Sequence, residues 1–138
     1  IVKRSTGEEH FLDAWGIYHK TTWPLEEEYR FDKVRLWRFD FAIPDLMIAI
    51  EIEGVSYQKQ GRHQTATGFT KDCEKYNSAT CDGWAVLRYT PPQIVKSPLQ
   101  VVTQIEAFIE RRDTELRLAK QKCDRHRRTR KSTDRNRE

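Results

Sequence analysis

From residue 37 to residue 53 apolar side chains recur at every second position, and this period constrains the chain more than any other feature. Trp37, Phe39, Phe41 and Ile43 alternate with Arg38, Asp40 and Ala42; Leu46, Ile48, Ile50 and Ile52 alternate with Met47, Ala49, Glu51 and Glu53. Successive strand residues point to opposite faces, so the pattern predicts two strands, each with one wholly apolar face. Pro44-Asp45 interrupts the alternation and marks a turn. A two-residue turn there pairs Ile43 with Leu46 and gives every later pair a residue-number sum of 89. In that register Asp40 faces Ala49 and Arg38 faces Glu51. Asp40, Glu51 and Glu53 then share the side opposite the aromatic and isoleucine face.

The neighbouring segments extend this hairpin into an α/β domain. Period two begins at Glu27 and turns near Asp32-Lys33, which predicts a three-stranded antiparallel meander up to Glu53. A helix is predicted from Glu8 to about Tyr18, because Glu8, Phe11, Leu12 and Trp15 fall on one helical face. After a polar stretch, 54–67, a second helix is predicted from about Gly68 to Asp82, with Phe69, Cys73, Tyr76 and Thr80 on one face and Gly83 as its stop. Trp84 to Tyr89 reads as a strand, with Trp84 and Trp37 as core residues. Ser97-Pro98-Leu99-Gln100 combines an N-cap serine, a proline at the first helical position and a capping-box glutamine. The helix it opens buries Val101, Val102, Ile105, Phe108 and Ile109. The expected order is α-β-β-β-α-β-α, a mixed sheet flanked by helices in three layers.

A chain of 138 residues fits one ordinary domain. Its longest apolar run, Leu46 to Ile50, is far short of a membrane span, and a soluble, intracellular protein without membrane contact is expected. Cys73, Cys81 and Cys123 are odd in number and lack CxxC spacing, as free thiols in a reducing compartment would be. The histidines 10, 19, 63 and 126 are scattered, so no zinc site is visible. Charge is divided unevenly. Residues 111–138 hold twelve Lys/Arg against five Asp/Glu, a net +7, whereas residues 1–110 hold thirteen against sixteen, a net −3. The expected organisation is a globular domain over 1–110 followed by a basic helical or disordered tail over 111–138. A run such as Arg125-His126-Arg127-Arg128-Thr129-Arg130-Lys131 attracts phosphate backbones through counterion release, and the alternative is a solvated extension.

Diagonal neighbours on a sheet lie roughly 7 to 8 Å apart, close enough for two inclined carboxylates to share a divalent cation. Carboxylates crowded on one face repel, and a cation relieves that repulsion. Arg38 is a competing source of relief, and a salt-bridged, solvent-facing sheet surface is the alternative to a metal site.

The hairpin run Arg38-Phe39-Asp40-Phe41-Ala42, followed eleven residues after the aspartate by Glu51-Ile52-Glu53-Gly54, resembles the active-site hairpin of the PD-(D/E)XK nuclease superfamily. The later stretches Gly61-Arg62-His63, Gly68-Phe69, Lys71-Asp72-Cys73-Glu74-Lys75-Tyr76-Asn77 and Gly83-Trp84-Ala85-Val86-Leu87-Arg88-Tyr89-Thr90 are similar to small phage-encoded and very-short-patch-repair-like endonucleases. The resemblance spans about residues 8–94 and implies a restriction-endonuclease-like α-β-β-β-α-β core. It implies Asp40 and Glu51 as metal ligands, with the Ile52 carbonyl completing the site and Glu8 added from the first helix, Glu9 being the near alternative. Glu53 stands where the motif usually has lysine; it could bind a second metal or act as a general base. Lys75 is the candidate for the missing positive charge, a solvated helix lysine being the alternative. Arg62 and His63 are candidate substrate contacts in the loop after the catalytic strand.

The resulting expectation is a Mg2+- or Mn2+-dependent endonuclease hydrolysing DNA, selective for structures such as branched or nicked DNA. Arg127, Arg128, Arg130 and Lys131 would add non-specific affinity. The resemblance suggests a bacterial or phage-infected cytoplasm and leaves a homodimer open. Two rivals stand beside it: a nuclease-like fold that binds nucleic acid or protein without cutting, and an assembly factor that docks through its final helix.

Overall fold

The structure is a computed structural model and describes residues 3–54 and 66–135. The chain runs α1 (Thr6–Tyr18), β1 (Glu26–Arg30), β2 (Arg38–Ile43), a single 3-10 turn (Pro44–Leu46), β3 (Ile48–Ile52), α2 (Ala66–Cys81), β4 (Ala85–Tyr89), α3 (Pro91–Lys96) and α4 (Pro98–Arg135). The four strands form one mixed sheet in the order β1-β2-β3-β4. β1, β2 and β3 are the expected antiparallel meander, and β4 returns through α2 to lie parallel to β3. Helices flank both faces. Central β3 is buried along its whole length.

The α1, α3 and α4 face carries the larger core, in which Phe41, Ile43, Ile48, Ile50 and Ile52 meet Phe11, Trp15, Ile94, Val102 and Ile105. The α2 face is thinner, with Phe39, Ala42, Ala49, Ala79 and Trp84. Phe39 and Phe41 therefore lie on opposite sides, which corrects the expectation of a single aromatic face. The alternation breaks at the pair of positions where Glu28 lies across from Asp40. Glu27 pairs with Phe41 and Tyr29 with Phe39, and Glu28 between them has φ +49°. A left-handed glutamate inside a strand is strained by roughly 1 kcal/mol or more. Beyond it Tyr29 and Phe39 both pack on the α2 side.

The hairpin register is corrected too. Phe41 pairs with Ile50, Ala42 with Ala49 and Ile43 with Ile48. The link is longer than two residues because Pro44–Leu46 form a 3-10 turn that Met47 closes with φ +52°. The shift of two positions preserves facing and sets Asp40 across from Glu51.

Helix ends follow local chemistry. α1 begins at Thr6, two residues before the expected start, because Ser5 and Glu8 form a capping box. α2 ends ahead of Gly83, whose φ of +92° suits a residue without a Cβ. On α2 the buried residue is Ala79, whereas Phe69, expected on the inner face, is 70% exposed. A short α3, missed in the sequence, is capped by Thr90 and Gln93 in a second capping box.

α4 runs unbroken through position 110. It starts near the end of β4, where Tyr89 donates to Gln104, and passes the 3-10 turn, where Arg112 donates to the carbonyls of Leu46, Met47 and Gly83. Beyond Asp113 every residue through Lys131 is exposed. Among the described residues no helix is long and apolar enough to cross a membrane, and the three cysteines are unpaired.

Candidate metal centre

The β2–β3 ladder stops at the Phe41–Ile50 pair, and Asp40 occupies the opening beyond it. Its Oδ2 accepts the Ile52 backbone N–H at 2.7 Å, so a side chain takes the place of a ladder partner. Glu51 lies across from it, and the charge of Asp40 acts directly on the Glu51 carboxyl.

α1 brings a further carboxylate to this opening. A Cβ on Gly7 would lie 2.9 Å from Pro91 Cγ and 3.0 Å from Ile52 Cγ2. Only glycine lets the first turn of α1 press this closely on the end of β3, and the next residue is Glu8. Carboxylate oxygens of Glu8, Glu28 and Asp40 lie within 4.8 Å of one another. Glu8 also accepts the Ser5 N–H at 2.7 Å, so it caps its own helix while it faces Asp40. Glu9, the alternative, is absent from this cluster.

The electrostatics are those of an acidic site short of positive charge. Burial raises the Asp40 carboxyl above the usual aspartate range, and the Ile52 N–H only partly offsets it. Burial and the neighbouring Asp40 push Glu51 up to about 8, against the pull of Lys75. Burial also raises Glu28, with Glu8 and Asp40 adding to the effect. Lys75 Nζ sits 2.8 Å from Glu51 Oε1. Its ammonium lies over the Phe39 ring at 5.7 Å and the Tyr76 ring at 5.5 Å. Packing of this kind directs the charge inward rather than to solvent.

Glu53 has a different setting. Its Oε1 accepts from Tyr76 Oη at 2.7 Å and Arg88 Nε at 2.8 Å. Burial works to raise its carboxyl, but the tyrosine hydroxyl and the guanidinium outweigh it and hold Glu53 below the usual range.

Of the sequence-predicted residues, Asp40 and Glu8 meet in the carboxylate cluster, the Ile52 N–H binds Asp40, and Glu51, outside that cluster, adjoins Asp40 and pairs with Lys75. Glu53 stands beside them with its own partners. Arg62 and His63 lie outside the described residues. Arg127, Arg128, Arg130 and Lys131 are exposed on α4, past the end of the sheet opposite the carboxylates. Sequence reasoning missed Glu28. Its signal was the run Glu26-Glu27-Glu28 in a predicted strand, where pairing β1 onto β2 would have set Glu28 across from Asp40.

An all-oxygen donor set of carboxylates suits a hard divalent cation such as Mg2+ or Mn2+. The surplus of buried negative charge fits the same occupant, because ligand carboxyls must shed protons when a cation arrives. Compared with known protein families, curated proteins and solved structures, the chain matches none.

Proposed function

We propose that this protein is a Mg2+- or Mn2+-dependent endonuclease that hydrolyses DNA phosphodiester bonds on a restriction-endonuclease-like core. The observation that carries the reading is the opening between β2 and β3, where Asp40, fixed by the Ile52 N–H, adjoins Glu51 and faces Glu8 and Glu28. The resemblance to PD-(D/E)XK nucleases in the hairpin motif supports it, as does the α-β-β-β-α-β element order.

Asp40 and Glu51 would hold the cation, with Glu8, Glu28 or the Ile52 carbonyl completing its oxygens. When bound, such an ion supplies Lewis acidity to a phosphate and lowers the pKa of an attacking water. The remaining work belongs to the chain. The Ile52 N–H fixes the Asp40 carboxylate, so its geometry is set before substrate arrives. Lys75 places a cation beside Glu51, where it would stabilise charge developing on the phosphate. It thus supplies the positive charge that Glu53 cannot at the motif's usual lysine position. Glu53, engaged by Tyr76 and Arg88, orients those two groups at the rim.

The basic part of α4 contributes affinity at a distance. Arg112 is anchored at the far end of the sheet, and Arg128 lies sixteen residues further along the helix, roughly 24 Å at 1.5 Å per residue. The arm would contact phosphates remote from the one being cut and supply salt-sensitive, sequence-independent binding.

Two observations favour a non-catalytic nucleic-acid-binding module instead: Glu51 already has Lys75 as a partner, and Glu8 already caps α1. Plasmid nicking with Mg2+ or Mn2+ separates the two. Asp40→Ala or Glu51→Ala is expected to reduce cleavage at least ~1,000-fold while DNA binding persists. Absence of cleavage of any DNA or RNA by the full chain would leave the binding module.

A further inference from the structure

The β1–β2 connection, residues 31–37, is built as a firm projection with an unburied apolar tip. Its base is fixed by aromatic packing: Phe31 stacks on Phe39 at 4.0 Å, and Phe39 packs on Trp84 at 5.0 Å. Its turn is fixed by Asp32, whose Oδ1 accepts the N–H groups of Val34 at 2.8 Å and Arg35 at 2.6 Å. Arg30 reaches up the loop and donates to the carbonyls of Asp32 and Lys33, both at 3.1 Å. Arg35 lies 4.6 Å above the Trp37 ring. Yet Val34 is 90% and Leu36 73% exposed.

The charge around the tip is of one sign. Arg30, Lys33, Arg35 and Arg38 flank Val34 and Leu36 along the chain, and the one acid among them, Asp32, accepts the N–H groups of the turn. Arg30 and Arg38 are direct cross-strand partners; Arg30 donates to loop carbonyls and Arg38 lies near enough to Glu28 to lower its carboxyl, while the exposed Lys33 and Arg35 leave room for an external anion. Position identifies that anion. β2 runs from the loop straight to Asp40. Leu36 lies four residues from Asp40 and Val34 six, at most roughly 13 and 20 Å of chain. That span corresponds to about four to six base-pair steps of 3.4 Å.

We propose that the β1–β2 loop is a wedge for duplex DNA, in which Lys33, Arg35 and Arg38 grip backbone phosphates while Val34 and Leu36 enter an unstacked step within about six base pairs of the scissile phosphate. The proposal rests on the nuclease reading for the position of that phosphate. Apolar wedges flanked by cations gain contact area by opening a base step, and the opening costs least where stacking is already broken. The wedge thus gives structure selectivity a physical origin: bulged, nicked or mismatched DNA is preferred because its step is already open.

The test measures binding of the 138-residue protein to a fluorescent duplex, either intact or carrying a one-nucleotide bulge, with 2-aminopurine beside the bulge to report unstacking. The wild type is expected to bind the bulged duplex roughly tenfold more tightly and to brighten the 2-aminopurine. Val34→Ser/Leu36→Ser should remove both the preference and the brightening while leaving affinity for intact duplex nearly unchanged. Lys33→Ala/Arg35→Ala should weaken both duplexes alike and reduce the salt slope by about 1.8, or 0.9 per phosphate. All four positions are exposed, so the fold should be retained, and a thermal melt checks this. Equal affinity of the wild type for both duplexes, or a preference untouched by Val34→Ser/Leu36→Ser, overturns the wedge. Asp40→Ala separates this proposal from the nuclease reading: loss of cleavage with the brightening retained supports both. A wedge signal in a protein that never cleaves DNA keeps the loop's role and refutes the nuclease.

Discussion

Glu51 lies in β3 and Glu53 just past its end, and both reach toward α2, yet their surroundings differ in sign. Glu51 is almost fully buried, adjoins Asp40, pairs with Lys75 and has its carboxyl pushed up to about 8. Glu53 is part-exposed and, despite the upward push of burial, is held below the usual glutamate range by Tyr76 and Arg88. Residue type and strand position are therefore poor guides to role, because what each carboxylate faces decides its charge. At Glu51 negative charge exceeds positive and the site needs a cation or a proton. At Glu53 the compensation comes from within the protein.

The sharpest way to break this comparison is through stability against pH. The folded-state carboxyl of Glu51 is raised from 4.5 to about 8, so ionising it costs more in the folded chain than in the unfolded one. Its contribution favours the fold below about 4.5 and is lost as pH rises from there through about 8; Asp40 shifts in the same direction. Metal-free protein should therefore melt progressively lower across that interval, and Mg2+ should restore the loss by binding the ionised pair. Glu51→Gln, which cannot ionise, should raise the metal-free melting temperature at pH 8.5 by about 5 °C or more and abolish rescue by Mg2+. A flat pH profile, or a destabilised glutamine variant, would show that Lys75 already balances the site.

Lys75→Gln probes the same pocket with a smaller expected effect. Lys75 lowers the Glu51 carboxyl, so its removal pushes that carboxyl higher still and moves the pH at which Mg2+ begins to stabilise the protein upward. If the ammonium also stabilises the reacting phosphate, cleavage should fall about 100-fold at saturating Mg2+. Lys75→Arg should recover part of it. An unshifted pH midpoint in the glutamine variant would mean that the lysine only fills space beside Phe39.

How much of this was legible in the sequence follows from what each pattern encodes. The alternation from Phe39 to Ile52 gave two strands and placed Asp40 and Glu51 near each other, because an even shift of register leaves facing unchanged. It could not give the register itself, since the 3-10 turn depends on Met47 adopting φ +52°. Nor could it show that Phe39 and Phe41 part company, because a strand buried on both faces is apolar whichever way it turns. Pairing β1 onto β2 would have set Glu28 across from Asp40, but its left-handed backbone could not be read, because propensity assigns that conformation to glycine or asparagine. The capping boxes at Ser5 and Thr90 were open to reading, each a Ser or Thr followed three residues later by Glu or Gln. Lys75 carried a helical position but no sign of its partner, because the contact with Glu51 joins elements 24 residues apart.

Glu53→Gln sharpens the comparison from the quieter side and should have the smallest effect. The amide keeps the size of the side chain and can still accept from Tyr76, but it loses the charge that faces Arg88. That ion pair is substantially exposed, with the arginine side chain at 52% and the glutamate at 27%, and such pairs contribute about 0 to 1 kcal/mol. The melting temperature should therefore move by less than about 3 °C, without the gain at high pH expected of Glu51→Gln. Cleavage should fall no more than about tenfold if Glu53 only orients Tyr76 and Arg88. A loss as deep as that of Glu51→Ala would instead place Glu53 among the groups that hold the cation or accept the proton, and the distinction between the two glutamates would fail.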